Sequence, residues 1–150
     1  ILEFVLYAIY AGVLLYVSWT DLRTRRIPNV VIGPAILLAL LAMYWTIGVR
    51  SALLGGIIAP LPLVVARLLA GASKMGMGDI KMALFVGLIL GSDFALIGVV
   101  IGLILSLIVT MIGILRGKWT LQSKLPFGPF LAAGTLPLMA LLLLESPMFM

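Results

Sequence analysis

Residues 27–47 read IPNVVIGPAILLALLAMYWTI, a run without any charged side chain. Its length is close to the roughly 20 apolar residues that an α-helix needs to cross a bilayer. The whole chain has the same character, because 64% of its 150 residues are hydrophobic and only 10% are charged, whereas soluble domains usually carry about 25% charged residues. The mean hydropathy is +1.33, and the apolar runs lack the polar alternation of membrane barrel strands. We therefore predict an all-α integral membrane protein.

Six apolar segments follow one another along the chain, and no soluble domain or low-complexity tract separates them. They are Phe4–Thr20, Ile27–Ile47, Ser51–Gly71, Asp79–Leu90, Phe94–Leu115 and Phe127–Leu144. Pro60, Pro62 and Arg67 interrupt the third segment. The sequence predicts one transmembrane domain over residues 1–150, built as a six-helix bundle.

Basic residues concentrate in alternate gaps between these segments. The first, third and fifth gaps hold Arg23, Arg25, Arg26, Lys74, Lys81, Arg116, Lys118 and Lys124. By contrast, the second gap has only Arg50, and the fourth has Asp93 and no base. Because Lys and Arg are enriched in cytoplasmic loops, this pattern predicts that gaps one, three and five are cytoplasmic and that both termini lie outside.

Two acids, Asp21 and Asp79, fall on the predicted cytoplasmic side. The other three acids fall on the opposite side; they are Glu3, Asp93 and Glu145. Asp79 is about 12 residues from the predicted outside turn at residues 91–93, which is roughly 18 Å of helix, and the hydrocarbon core is about 30 Å thick. We therefore expect both acids just below the cytoplasmic interface, where an acid needs a functional or structural reason.

The sequence contains no His and no Cys, which narrows the possible chemistry. Without Cys there are no disulfides, thiolate nucleophiles or Cys-based zinc sites, and without His the usual base of serine hydrolases is missing. A Ser73–Lys74 dyad is disfavoured, because neighbouring residues on a helix point about 100° apart. Two carboxylates would make a poor metal site, so we expect none. We see no basic, aromatic-interleaved surface that would indicate nucleic-acid binding.

Two carboxylates can hydrolyse a peptide without further groups. When they lie close together they share a proton and titrate as a unit. The ionised member then takes a proton from water, and the protonated member donates to the scissile carbonyl. Asp21 and Asp79 are the candidate catalytic pair. Gly76 and Gly78 would let the backbone approach a substrate closely, and Lys81 could hold a nearby phosphate or tune Asp79.

Each acid also has a purely structural interpretation. Asp79 could cap the N-terminus of the fourth segment while Lys81 extends toward the interface. Asp21 could belong to an ordinary cytoplasmic turn, with a local ion pair to the arginines that follow it. Pro28 would then stand near the start of the next helix.

Three separated motifs give the chain a family resemblance. They are DLRTRRIPN at residues 21–29, GMGDIK at residues 76–81 and KLPFGPFL at residues 124–131. Together they resemble the type IV prepilin peptidases, which are membrane aspartic proteases of the Gly-x-Gly-Asp class. The resemblance implies that Asp21 and Asp79 are the catalytic pair. It also implies cleavage of the basic leader of prepilins, pseudopilins or related secretion-system subunits at the cytoplasmic face of a prokaryotic inner membrane.

The chain differs from many bacterial members of that family, which carry a cytoplasmic region with paired Cys motifs and also methylate the new N-terminus. Because this sequence has no Cys and no long cytoplasmic loop, it resembles a minimal peptidase form or a trimmed piece. We expect no cofactor, and S-adenosylmethionine only if a methyltransferase activity is also present. The expected partners are prepilin-like substrates and the lipid bilayer.

Two non-enzymatic functions remain as alternatives. A small proton- or cation-coupled transporter subunit could use Asp21 and Asp79 as its ion site, since acids inside membranes mark such pathways as readily as active sites. A structural subunit of a secretion machine could carry the same aspartates as turn residues.

Overall fold

The computed structural model describes residues 2–24, 29–44, 47–70, 77–117 and 128–144, and these residues are α-helical apart from a few turn residues, with no β-strand among them. The helices are α1 Leu2–Thr24, α2 Asn29–Ala42, α3 Val49–Ile58, α4 Leu61–Ala70, α5 Met77–Leu115 and α6 Gly128–Leu144. The all-α prediction is confirmed for this part of the chain. The helix boundaries, however, differ from the predicted segments. Helix α2 ends at Ala42, before the predicted end at Ile47, and three further differences follow.

The first difference is that α1 continues four residues beyond the predicted end at Thr20, to Thr24. The second is that the predicted third segment forms two helices, α3 and α4, which meet at Ala59 and Pro60. Proline has no backbone N–H and its ring collides with the preceding turn, so a break at this point has a direct cause. The predicted interruption by Pro60 is therefore confirmed, whereas Pro62 and Arg67, which were also predicted to interrupt this segment, lie within the continuous helix α4.

The third difference is that the predicted fourth and fifth segments form one element, α5, without an intervening loop. Its one non-helical residue is Gly91, with φ 81° and ψ 179°, a conformation that side chains disfavour. An added Cβ on Gly98 would lie 2.8 Å from Leu90 Cδ1, although eight residues of continuous helix would separate these positions by about 12 Å. The chain therefore turns back at Gly91, inside the predicted turn at residues 91–93.

Glycines form the closest helix contacts in the described part of the chain. Gly55 of α3 and Gly87 of α5 approach backbone to backbone, and neither has room for a Cβ. Gly134 of α6 meets the backbone of Gly98 and Gly102 in the second half of α5 in the same way. Small residues allow helices to pack closely where burial from water cannot drive association. We call these two glycine contacts the α3–α5 seam and the α5–α6 seam. They hold α3 and α6 against opposite halves of α5.

The same contacts set the helix directions. Ser51, at the start of α3, accepts a hydrogen bond from the N–H of Ser92 at 3.1 Å, whereas Ala59, just past its end, lies against Gly87. Helix α3 is therefore antiparallel to the first half of α5. Helix α6 is antiparallel to the second half, because Gly134 lies near Gly98 and Leu131 lies near Gly102.

The first half of α5, residues 77–90, lies at the centre of the structure. From Met82 to Gly91 every residue is buried except the half-buried Leu84. Tyr10 of α1 packs edge-to-face on Phe85, with ring centroids 5.6 Å apart. Large hydrophobic side chains are also exposed on all six helices, including Leu69, which is 83% exposed. Both the core and the surface are therefore apolar.

By length and composition, two helical stretches could each cross a membrane, Phe4–Arg23 and Gly78–Leu115. The second would measure about 57 Å as a straight helix, nearly twice the hydrocarbon thickness, so its turn at Gly91 divides it into two lengths. Shorter apolar stretches are Val30–Ala42, Val49–Val65 and Gly128–Leu144. The location of both termini outside stays a prediction.

Candidate active site

Asp21 is a buried carboxylate near the C-terminal end of α1, with 4% of its surface exposed. Its Oδ2 accepts a hydrogen bond from the backbone N–H of Gly128 at 2.8 Å. A buried carboxylate without such a partner would be costly. The bond joins residues 107 positions apart, and it brings the end of α1 against the first residue of α6.

Helix α1 presents Asp21 inward because of helical periodicity. The buried residues Tyr10, Leu14 and Val17 lead to Asp21 in steps of three and four, which is the spacing of one helix face. Ser18, also buried, donates its hydroxyl to the carbonyl of Leu14 at 2.6 Å, so its polar group is satisfied within α1.

The interpretation of Asp21 as a residue of an ordinary turn is wrong. Asp21 lies within α1 and its carboxylate contacts α6. The nearby Arg23 instead stacks its guanidinium over Trp19, 4.9 Å from the ring centroid. This contact is on the exposed face of α1. Arg25 and Arg26 lie outside the described residues.

Gly128 is the site residue that sequence reasoning missed, although it belongs to the third motif. It is the first residue of α6 and is buried against Asp21. An added Cβ would lie 2.7 Å from Asp21 Oδ2, so this position has no room for a side chain. The available sequence signal was a Gly–Pro pair directly before an apolar segment, which is typical of a helix start.

Asp79 lies in the first turn of α5 and is half-buried. It is the third residue of the helix, which begins at Met77, so it is not the residue directly before the helix as a simple N-cap would be. An acid in the first turn still interacts favourably with the helix dipole. Gly78 and Lys81 are half-buried beside it, whereas Gly76 lies outside the described residues.

The helix directions put Asp21 and Asp79 at the same end of the helices. Asp21 contacts the start of α6, which is antiparallel to the second half of α5 and so lies away from Gly91. Asp79 opens the first half of α5, at the end away from Gly91. Because the chain turns back at Gly91, these two ends lie on the same side. That the carboxyls meet only when substrate binds stays a prediction.

The end of the described helices that holds Asp21 and Asp79 presents two carboxylates and one backbone donor, the N–H of Gly128. Within residues 2–24, 29–44, 47–70, 77–117 and 128–144, no group of three or more His, Cys, Asp and Glu side chains could hold a metal ion. Two carboxylates that share one proton supply both a general base and a general acid.

Comparison with known proteins adds an independent finding. A model of the type IV leader peptidase family matches residues 8–115, a stretch that contains both aspartates. The protein named prepilin leader peptidase/N-methyltransferase from Burkholderia pseudomallei strain 1026b is 30% identical over 127 residues, and its namesake from strain K96243 gives the same identity. These alignments cover 81% of this chain and 41% of each relative, so the chain spans about two fifths of their length. No solved structure matches the chain.

Proposed function

Because this chain belongs to the type IV leader peptidase family, we propose that it is a membrane aspartic endopeptidase. Its substrates in this proposal are type IV prepilin-like or pseudopilin proteins, from which it removes the basic leader at the cytoplasmic membrane face. The observation that carries the proposal is the buried Asp21, held by α6 at the same end of the helices as Asp79. The name of the matched relatives supports the substrate class.

The proposed reaction uses the two carboxylates as one acid–base unit. The ionised member removes a proton from water, which attacks the scissile carbonyl. The protonated member donates to the carbonyl oxygen and stabilises the tetrahedral intermediate. Gly78 and Lys81 stand next to Asp79 on its first turn and, together with Gly76, are proposed as supporting residues.

A bilayer is the proposed environment, with a multi-pass arrangement in a prokaryotic cytoplasmic membrane. Exposed apolar side chains on all six helices support it, since soluble proteins rarely expose large continuous apolar patches. The basic residues predicted for gaps one, three and five support a cytoplasmic location of the aspartate end. The six-helix bundle with both termini outside is part of the same proposal.

Methyl transfer is not part of the proposal. The relatives' name includes N-methyltransferase, and S-adenosylmethionine would be a cofactor of this chain only if that activity were also present.

The test is cleavage of a prepilin-like substrate by the purified protein in detergent or proteoliposomes. We expect Asp21→Asn and Asp79→Asn each to lower kcat by at least about 100-fold, the usual contribution of a general acid or base. Asp93→Asn is the matched control, because Asp93 is exposed beside Ser92, at the other end of the helices, and it should cleave normally. Normal cleavage by both Asp21→Asn and Asp79→Asn would show the mechanism to be wrong. Proton uptake by the liposomes without cleavage would favour a transporter.

A further inference from the structure

We propose that Gly128 is a positioning residue for Asp21, an inference that rests on the proposed peptidase function. Its N–H holds Asp21 Oδ2 at 2.8 Å, and its missing side chain leaves the space that this carboxylate occupies. The third motif thereby gains a role in the reaction, although it lies outside the stretch that the family model matches.

The steric part of the argument comes from the distances at Gly128. An added Cβ would lie 2.7 Å from Asp21 Oδ2 and 3.4 Å from its Cβ and Cγ. The first distance is too short for a real contact, so either the carboxylate or the start of α6 would have to move. Asp21 is 4% exposed, which leaves its side chain little room to swing away.

The polar part of the argument concerns the first turn of α6. The first N–H groups of a helix have no partner within that helix, and an acid near a helix N-terminus is favoured by the helix dipole. Most helices take such a partner from the residue just before them. Here the partner of Gly128 is on α1, 107 residues earlier. The bond fixes the direction of Oδ2 and so orients the whole carboxylate, whose remaining lone pairs can act on water or on the second carboxyl.

A merely structural role predicts a different outcome from a positioning role. If the bond only ties α1 to α6, displacing it with a Cβ at position 128, which keeps the N–H, lowers thermal stability but leaves the turnover of folded molecules unchanged. If it aims the carboxylate, its loss lowers kcat at unchanged KM, because a misplacement of about 1 Å at a reacting group can cost about 100-fold.

The experiment compares three glycine-to-alanine variants by kcat, KM and melting temperature, on folded, monodisperse protein. Gly128→Ala changes the proposed positioning residue. Gly134→Ala disturbs packing of the same helix, since its Cβ would meet the Gly98 backbone. Gly12→Ala, on α1, has nothing within 4 Å of an added Cβ and serves as the neutral control.

We expect Gly128→Ala to lower kcat about 10- to 100-fold with KM within about twofold of the unmodified protein. Gly134→Ala should lower the melting temperature and reduce kcat per folded molecule by less than Gly128→Ala does, because it acts on Asp21 only through a displacement of α6, and Gly12→Ala should change neither. A kcat for Gly128→Ala within twofold of the unmodified protein, or a rise in KM alone, would overturn the inference. If Asp21→Asn is inactive in that same series, the peptidase proposal survives the failure.

A second variant covers the case in which Gly128→Ala does not fold. Combining it with Asp21→Ala removes the carboxylate oxygen that the new Cβ would strike, and leaves only the 3.4 Å contact with Cβ. Recovery of folding in this double variant supports the predicted contact. Failure of the double variant to fold, where Asp21→Ala alone folds, would place the fault in α6 itself and overturn the inference.

Discussion

The α3–α5 seam supports a quantitative prediction for Gly87→Ala. A Cβ at this position would lie 2.6 Å from the carbonyl carbon of Gly55 and 2.8 Å from the Cβ of Ala59, whereas ordinary contact is 3.4–4 Å. The neighbours are backbone and a short side chain, so neither can rotate away. Helix α3 must retreat by about 1 Å, and a gap of that size forfeits a quarter to a half of the dispersion energy of the contacts it opens.

The net cost of Gly87→Ala combines two opposing effects. Overpacking of a close contact costs typically 1–3 kcal/mol, and a backbone contact belongs at the upper end. Alanine is favoured over glycine inside a helix by about 1 kcal/mol. We therefore expect a loss of about 2 kcal/mol, which lowers the melting temperature of a chain of this size by about 4–8 °C.

Thermal unfolding in detergent, followed by circular dichroism, measures this shift. Gly33→Ala is the matched control, because Gly33 lies within α2 and an added Cβ has nothing within 4 Å. The control should melt at the same temperature as the unmodified protein, or slightly above it. A Gly87→Ala variant that melts within about 1 °C of that control would refute the close approach of the two helices.

Two further predictions concern hydrogen bonds. Asp21→Ala removes the acceptor of the Gly128 N–H, whereas Asp21→Asn keeps an oxygen there. Because an unsatisfied buried donor costs about 1–3 kcal/mol, the Asn variant should melt at a higher temperature than the Ala variant. Equal melting temperatures would contradict the bond. Ser51→Ala removes the oxygen that accepts from the Ser92 N–H. It should cost about 1 kcal/mol and leave kcat unchanged, whereas a loss of cleavage would contradict the location of these serines away from the active site.

The sequence singles out two candidate catalytic residues because polar residues are rare in it. Asp21 and Asp79 were recognisable since the chain offers few other acids and neither His nor Cys. The charge pattern also predicted that both acids lie on one side, and the helix directions agree. The turn predicted at residues 91–93 contains Gly91, whose φ of 81° only glycine adopts easily.

The remaining errors have physical causes. The sequence predicts the end of α1 at Thr20 because charged residues follow it, yet a helix can continue into such residues, as α1 does to Thr24. The role of Gly128 could not be predicted because its partner Asp21 is 107 residues away. A contact between residues so far apart in the sequence depends on how the helices pack, and it produces no periodic pattern in the sequence around either residue.

The uneven burial along the first half of α5 has a mechanical consequence. From Met82 onward the helix is enclosed and its far end is held by the α3–α5 seam and the Ser92 bond. A sliding movement of the whole helix would break all of these contacts together. Any adjustment that brings Asp79 toward a substrate therefore falls to the half-exposed first turn. Asp21, at the same end of the helices, is held by its hydrogen bond to Gly128 of α6, so in the proposed pair Asp79 is the acid with more freedom to move.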